Sequence, residues 1–193
     1  MKIESFQNPK IKQIEKLKNK RQRDKTGQFF IEGYRECLRA HEGDIAIEML
    51  FFCPALFLKS NEWDLINQIE KKGAQIYEVS QAIFEKISMR DRPDGLALLA
   101  QQDRLGLSDL EAKIKESDCP FFCVVEAIEK PGNLGSILRS CDAVGVDGLI
   151  LCNECTDVFN PNVVRSSVGA LFTVPVYQVS SLEAIELLTQ HKI

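Results

Sequence analysis

Lys130-Pro131-Gly132-Asn133-Leu134-Gly135-Ser136-Ile137-Leu138-Arg139-Ser140-Cys141-Asp142-Ala143-Val144-Gly145 is the stretch whose reading decides the fold. The apolar run Phe121-Phe122-Cys123-Val124-Val125 leads into it, and Gly148-Leu149-Ile150-Leu151-Cys152 follows it. By period this is strand, glycine turn, helix and strand, a βαβ unit with buried parallel strands. Gly132 and Gly135 are expected to let the backbone take positive φ and approach a ligand or another segment closely. Amides at the helix start can hold an anion. Asn133 stands at the carboxyl end of the first strand, where open α/β sheets place ligands. Arg139 is a permanent cation on a helix otherwise apolar at Leu134, Ile137, Leu138, Ala143 and Val144, so a partner for it is expected. The glycine spacing does not meet the dinucleotide fingerprint. From these residues alone, a substrate loop and a plain turn with an interhelical salt bridge both stay open.

Outward from this unit, 193 residues with a 45 % hydrophobic share suffice for one or two domains with real cores. No stretch approaches the ~20 apolar residues of a membrane span. Met1-Lys2-Ile3-Glu4 opens no signal-peptide core, which points to a cytoplasmic protein. Seven cysteines, an odd number set mostly in apolar runs, read as reduced thiols and not as a disulfide frame. Cys152 and Cys155 have CxxC spacing, but Cys119 and Cys123 flank a strand whose alternation aims them inconsistently. No metal site is expected, and the cysteines read as small buried hydrophobes.

The net charge of −4 is unevenly spread, because residues 1–25 hold nine basic side chains against three acidic ones. An acidic protein with a basic N-terminal arm suggests that polyanion contacts are local to that arm. Asn8-Pro9 reads as an N-cap with proline at the first helical position. Ile11, Ile14 and Leu17 then form a narrow apolar stripe on a lysine-covered helix. Lys10, Lys12, Lys16, Lys20, Arg21 and Arg23 are the candidates for phosphate contact.

Beyond the arm the pattern alternates. Strand 28–32 ends at Gly33, helix 34–40 follows, then strand 45–52 and a helix over 61–71 with Trp63, Ile66 and Ile69 inward. Strand 74–79, a helix over 81–87 capped by Ser80, the turn Pro93-Asp94-Gly95 and strand 96–100 complete a small α/β domain. Segment 87–94, with Arg90, Asp91, Arg92 and Asp94, reads as a mobile polar loop. Residues 102–117 read as a linker holding a short helix, with Ser108 and Glu111 as a capping box. Past it come strand 120–127, helix 134–144, strand 147–152, helix 161–170, strand 172–179 and a helix opened by Ser180 and Glu183. Three parallel strands of this kind leave an apolar edge unpaired.

The string from Pro131 to Arg139, with Gly145 behind it, resembles the first motif of the SpoU (TrmH-type) RNA 2′-O-ribose methyltransferases of the SPOUT superfamily. Asn160-Pro161-Asn162-Val163-Val164-Arg165-Ser166-Ser167-Val168-Gly169-Ala170-Leu171-Phe172 resembles the segment that follows it in that family. Phe29-Phe30-Ile31-Glu32-Gly33 and Pro93-Asp94-Gly95 resemble the family's N-terminal substrate-binding domain, an α/β sandwich related to RNA-binding ribosomal proteins. The resemblance implies an RNA substrate-binding domain over 1–101, a linker over 102–117 and a SPOUT-type parallel-sheet catalytic domain from 118 onward. It also implies S-adenosylmethionine-dependent 2′-O-ribose methylation of ribosomal or transfer RNA by a homodimer.

By the same carry-over, Arg139 contacts the target phosphate and ribose and helps activate the hydroxyl, while Asn133 orders the active-site loop. Gly132 and Gly135 allow close approach, and Arg165 and Ser167 support the site or the RNA. Glu126 and Glu129 stand where the family often has an aspartate. The family's later glycine-glutamate and asparagine/serine motifs, which form the cofactor-binding trefoil knot, do not occur in these residues. The resemblance therefore implies a catalytic domain truncated before its knot, with its cofactor residues beyond Ile193 and this polypeptide inactive alone. The competing class is a non-catalytic RNA-binding module of the same fold. A nucleotide-binding reading lacks the Walker lysine-serine/threonine pair. His41 and His191 lie outside every motif, against a Ser-His-Asp scheme.

Overall fold

Asn8 starts the first long helix as its chemistry requires. Its side chain accepts a hydrogen bond from the Lys10 amide at 2.9 Å, and Pro9 fills the first helical position, where no donor is lost. The computed structural model describes residues 1–193. They form two units, Met1–Gln102 with Phe159–Pro161, and Asp103–Val158 with Asn162–Ile193.

The first unit runs β1 (Lys2–Ile3), α1 (Pro9–Leu17), α2 (Lys20–Thr26), β2 (Gln28–Glu32), α3 (Tyr34–Glu42), β3 (Ile47–Phe52), α4 (Glu62–Lys71), β4 (Gln75–Val79), α5 (Gln81–Ile87) and β5 (Leu96–Gln101). Its sheet has the order β1-β4-β3-β5-β2, with β1, β4 and β3 parallel and β5 antiparallel to both its neighbours. Phe52 pairs with Leu96 and Glu32 with Ala97, so β2 and β3 finish at the end of the sheet where β5 begins. The stripe Ile11, Ile14, Leu17 of α1 joins Ile83 and Phe84 of α5 over Phe30, Phe51 and Leu99.

Two expectations fail here. Trp63 is 46 % exposed, because the buried arc of α4 is Leu65, Ile66 and Ile69 and the indole falls on its flank. Segment 87–94 is no loose loop. Arg90 Nη2 lies 2.6 Å from Glu36 Oε1 and donates to the Glu32 carbonyl at 2.9 Å, with Asp94 Oδ2 3.9 Å from Nη1. Glu32 accepts from the Met89 amide at 2.7 Å and from the Ser88 hydroxyl, and Asp94 accepts from the Tyr34 amide at 2.8 Å. Glu32 and Glu36 are both buried. Each charged side chain of the cluster has a partner, which offsets its burial, while Arg90 Nε and Asp94 Oδ1 are buried without one.

The second unit runs α6 (Leu107–Glu116), β6 (Phe122–Glu126), α7 (Pro131–Val144), β7 (Gly148–Cys152), α8 (Pro161–Ser167), β8 (Val176–Val179) and α9 (Ser181–Gln190), the last opened by the Ser180–Glu183 capping box. The three strands are parallel in the order β6-β7-β8. Leu110, Ile114, Ala184 and Leu187 cover one face over Ile150, Cys152 and Tyr177. Helix α6, lying where a linker is expected, therefore belongs to this core. It begins before Ser108, since the Gly106 amide is held by Asp109 Oδ2 at 2.8 Å. Strand β7 is buried throughout, whereas β6 is an edge strand with Val124 50 % exposed. Helix α8 stops at Ser167 because Val168 (φ 54°) and Gly169 (φ 93°) are left-handed, and Ala170–Phe172 form a 3-10 turn before β8. No helix is long and apolar enough to cross a membrane.

Candidate functional site

The motif turn is absent as a turn. Pro131 is the first residue of α7, so Gly132, Asn133 and Gly135 lie within the helix and none has positive φ. Gly135 serves the other expectation, close approach to a second segment. A Cβ there would overlap Ser166 Oγ and lie 2.8 Å from both the Cβ and the backbone carbon of Ser166. Helix α8 is pressed against α7 at this point, and Ser166 Oγ donates to the Asn162 carbonyl at 2.6 Å. Over Gly132 no heavy atom stands within 4 Å of such a Cβ. Gly135→Ala is thus expected to destabilise the second unit by about 1–3 kcal/mol through overpacking. Gly132→Ala should be neutral or stabilising, since it only restores helix propensity. Urea melts of the two variants check the contrast, which vanishes if α7 and α8 do not touch.

Arg139 has no ion-pair or hydrogen-bond partner and is exposed, so the interhelical salt bridge, one of the two readings left open, is not formed. The physical reason is angular. Leu134, Leu138 and Cys141 occupy the buried arc of α7, and Arg139 falls outside it in line with Gly132 and Ser136. Asn133 is exposed on the same helix with an unengaged side chain, its amide donating to the Lys130 carbonyl at 3.0 Å. Arg165 of α8 is exposed and unpaired, while Ser167 is fully buried and donates back to the Val164 carbonyl at 2.8 Å. The second unit thus presents one permanent cation and one amide on the open face of α7, with a further cation on α8.

At the carboxyl ends of the strands, Glu126 Oε1 accepts from Asn153 Nδ2 at 2.9 Å and from Ser181 Oγ at 2.5 Å. Glu129 contributes its carbonyl to Thr156 Oγ1 at 2.5 Å. Ala127 (φ 50°), Asn153 (φ 50°) and Val168 (φ 54°) are left-handed without being glycine, conformations that cost of order 1–3 kcal/mol each and gather at functional ends of folds. Sequence reading missed the Glu126–Asn153–Ser181 cluster. Its only signal was an asparagine directly after a buried strand. These groups satisfy one another, with Glu126 and Asn153 exposed and Ser181 half-buried, and they do not enclose a nucleoside-sized cofactor.

In the first unit, Lys12, Lys16 and Arg21 are exposed and without an ion partner. Lys16 lines a cleft of about 260 Å³ between α1 and α2 with Gln13, Gln22, Lys25 and Thr26. Lys10 Nζ sits 3.3 Å from Gln75 Oε1 and 4.8 Å above the Tyr77 ring, and Lys20 pairs with Asp24 at 2.8 Å. Arg23 must be withdrawn from the RNA-facing set. It is 2 % exposed and donates to the carbonyls of Leu17 and Lys18 at 2.8 and 3.1 Å, closing the end of α1. Among the cysteines, Cys37, Cys53, Cys141 and Cys152 are buried, and burial raises their thiols, Cys141's to about 11. Cys123 is half-buried, and Cys119 and Cys155 are exposed, so the small-buried-hydrophobe reading holds for four of the seven.

Residues 8–98 match the model of the MRM3-like substrate binding domain, and residues 120–193 that of the SpoU rRNA Methylase family. The chain is 29 % identical to the 23S rRNA (guanosine(2553)-2'-O)-methyltransferase RlmP of Bacillus subtilis, over 90 % of this chain and 63 % of that protein. It is 31 % identical to rRNA methyltransferase 3, mitochondrial, of Xenopus tropicalis, over 86 % of this chain and 38 % of the relative. The crystal structure of an AdoMet-bound rRNA methyltransferase from Sinorhizobium meliloti aligns with a TM-score of 0.85 at 26 % identity, covering 99 % of this chain and 69 % of that one. An RNA 2'-O ribose methyltransferase structure aligns at 0.77 and 31 % identity, covering all of this chain and 70 % of the other. The chain therefore spans about 63 % of the length of curated relatives such as RlmP.

Proposed function

The chain belongs to the SpoU rRNA methylase family, and from that premise we propose that the protein takes part in 2′-O-ribose methylation of ribosomal RNA. One observation carries the reading. The substrate-binding and methylase models match in order along the chain, and the methylase segment leaves Arg139 and Asn133 unengaged on an open helix face. S-adenosylmethionine is the family's methyl donor. The strand-end groups described above do not enclose it, so the steps assigned to these residues run through RNA alone.

A ribose 2′-hydroxyl is a poor nucleophile and must be oriented while its proton departs. Arg139 is proposed to grip the adjacent phosphate and ribose, where a guanidinium can bond two oxygens and offset developing negative charge. Asn133, in the first turn of α7, is proposed to order the loop that leads into the helix. Arg165 and the N-terminal cations Lys10, Lys12, Lys16, Lys20 and Arg21 are proposed to hold phosphates further along the RNA. Ser167 and Gly135 act on the site through the α7–α8 packing.

The gene product is proposed to work in the cytoplasm as a homodimer. Exposed apolar Val124, Val144, Leu182 and Ile185 support an assembly that covers them, and sedimentation of the purified protein tests it. Methyl transfer by the full gene product from labelled S-adenosylmethionine to ribosomal RNA, read by nucleoside mass spectrometry, tests the activity. A 2′-O-methyl nucleoside is expected. A methylated base, or RNA binding with no transfer, would favour the non-catalytic module.

The arm makes a separate prediction. Changing Lys12, Lys16 and Arg21 together to glutamine should weaken RNA binding at low salt and flatten the slope of log K against log salt by roughly two to three. An unchanged slope would remove the arm from the interface.

A further inference from the structure

At the end of the first sheet where β2 and β3 finish and β5 begins, three loops are tied together. The Gly33 amide donates to the Leu96 carbonyl at 3.0 Å, and the Cys53 amide to the Gly95 carbonyl at 2.9 Å. A Cβ on Gly95 would lie 2.9 Å from the Phe57 ring, so the segment after β3 is packed on the segment before β5. Helix α4 rises from this end. Its first residue, Glu62, is buried and accepts the amides of Leu58 and Lys59 at 3.1 and 3.0 Å. The next residue is Trp63.

Its indole is braced and yet open. Phe52 and Phe57 meet it at centroid distances of 5.4 and 5.5 Å with interplanar angles of 73° and 76°, both edge-on. No ring is stacked parallel to it, and the residue remains 46 % exposed beside Leu58 at 77 %. Leaving this apolar surface in water forgoes stabilisation, and a ring braced edge-on keeps one face free for a ligand. Lys59, Arg35 and Arg92 are exposed around this end without ion partners, but Asp64 and Asp91 share the surface. Such mixed charge does not attract phosphates strongly. A planar, sequence-tolerant ligand face suits it better, and unpaired bases stack on aromatic side chains in this way.

We propose that Trp63, held edge-on by Phe52 and Phe57, is a stacking platform for an unpaired base of the RNA. The proposal rests on the RNA-substrate reading above and goes beyond the phosphate contacts of the arm. It places base recognition at the loop end of the sheet, on a rigid support.

Trp63 is the sole tryptophan of the chain, so its emission reports this place alone. The full chain is titrated with single-stranded oligoadenylate and with an abasic ribose-phosphate oligomer of equal length, while end-label anisotropy reports binding independently. Oligoadenylate is expected to quench the emission and the abasic oligomer to leave it unchanged. Trp63→Ala should lose about 5- to 100-fold in oligoadenylate affinity with the salt slope intact, and Trp63→Phe should keep most of it. Binding of oligoadenylate with unchanged emission, and an affinity within twofold in Trp63→Ala, would overturn the platform while leaving the RNA reading in place. If neither oligomer binds, the platform is overturned, and the RNA reading is decided separately by methyl transfer to ribosomal RNA.

Discussion

Arg139→Ala is expected to lower 2′-O-methyl transfer by the full gene product roughly 100- to 1,000-fold, the range for removing one donor aimed at developing charge. RNA affinity should change far less, because many other cations share the phosphate contacts. The guanidinium stands in solvent with no partner, so its removal breaks nothing in the fold, and the unfolding free energy from urea melts should stay within about 0.5 kcal/mol. That separation is the useful feature of the site: a loss of kcat at constant stability and near-constant affinity reports chemistry alone. Arg139→Lys keeps the charge without the planar fork and should recover only part of the rate. Normal methylation by Arg139→Ala would end the assignment.

The largest stability effect is expected at Arg90. Its guanidinium stands among Glu32, Glu36 and Asp94, and Arg90→Met leaves these carboxylates without their cation. A loss of about 3–5 kcal/mol follows at neutral pH, the usual result of breaking a buried pair from one side. Acid should restore part of it as the carboxyls take up protons.

The intact protein already has a pH dependence of the same sign. Burial, the largest cause, raises both Glu32 and Glu36 above the ordinary glutamate value of 4.5, against the hydrogen bonds and Arg90 charge that oppose it. A raised folded-state pKa contributes stability that is full below the unfolded value and lost as pH rises through the folded one. The urea midpoint should therefore fall on going upward from about pH 4.5, and Glu36→Gln should flatten the fall. A midpoint that rises with pH over that range in the wild type, with no change in Glu36→Gln, would show that the cluster is solvated in solution. Both measurements concern the loop end of the first sheet, where Trp63 also sits.

Much was legible without coordinates, because local chemistry acts over a few residues. Asn8-Pro9, Ser80 and Ser180–Glu183 begin helices as their side chains require. Phe29 to Ile31 and Leu149 to Leu151 are apolar without alternation, and both lie in strands covered on two faces. The chain's motif order pointed to the same family as the comparisons, since that order survives where overall identity is near 30 %.

Other features depended on what lies opposite in space. Arg23 and Lys16 are alike as residues in a basic arm, but only the fold puts one under the end of α1 and the other beside an open cleft. Arg139 looked in need of a partner because a helix drawn alone does not say which arc its neighbours cover. Gly135 looked like a turn residue because the helix that crowds it arrives some thirty positions later, at Ser166. Sequence by itself determined the succession of elements, their caps and the family, all consequences of short-range geometry and ordered motifs. Tertiary structure alone decided which cations are free, which glycine is obligatory and that Trp63 faces water, because burial and close approach belong to pairs of segments and not to either one.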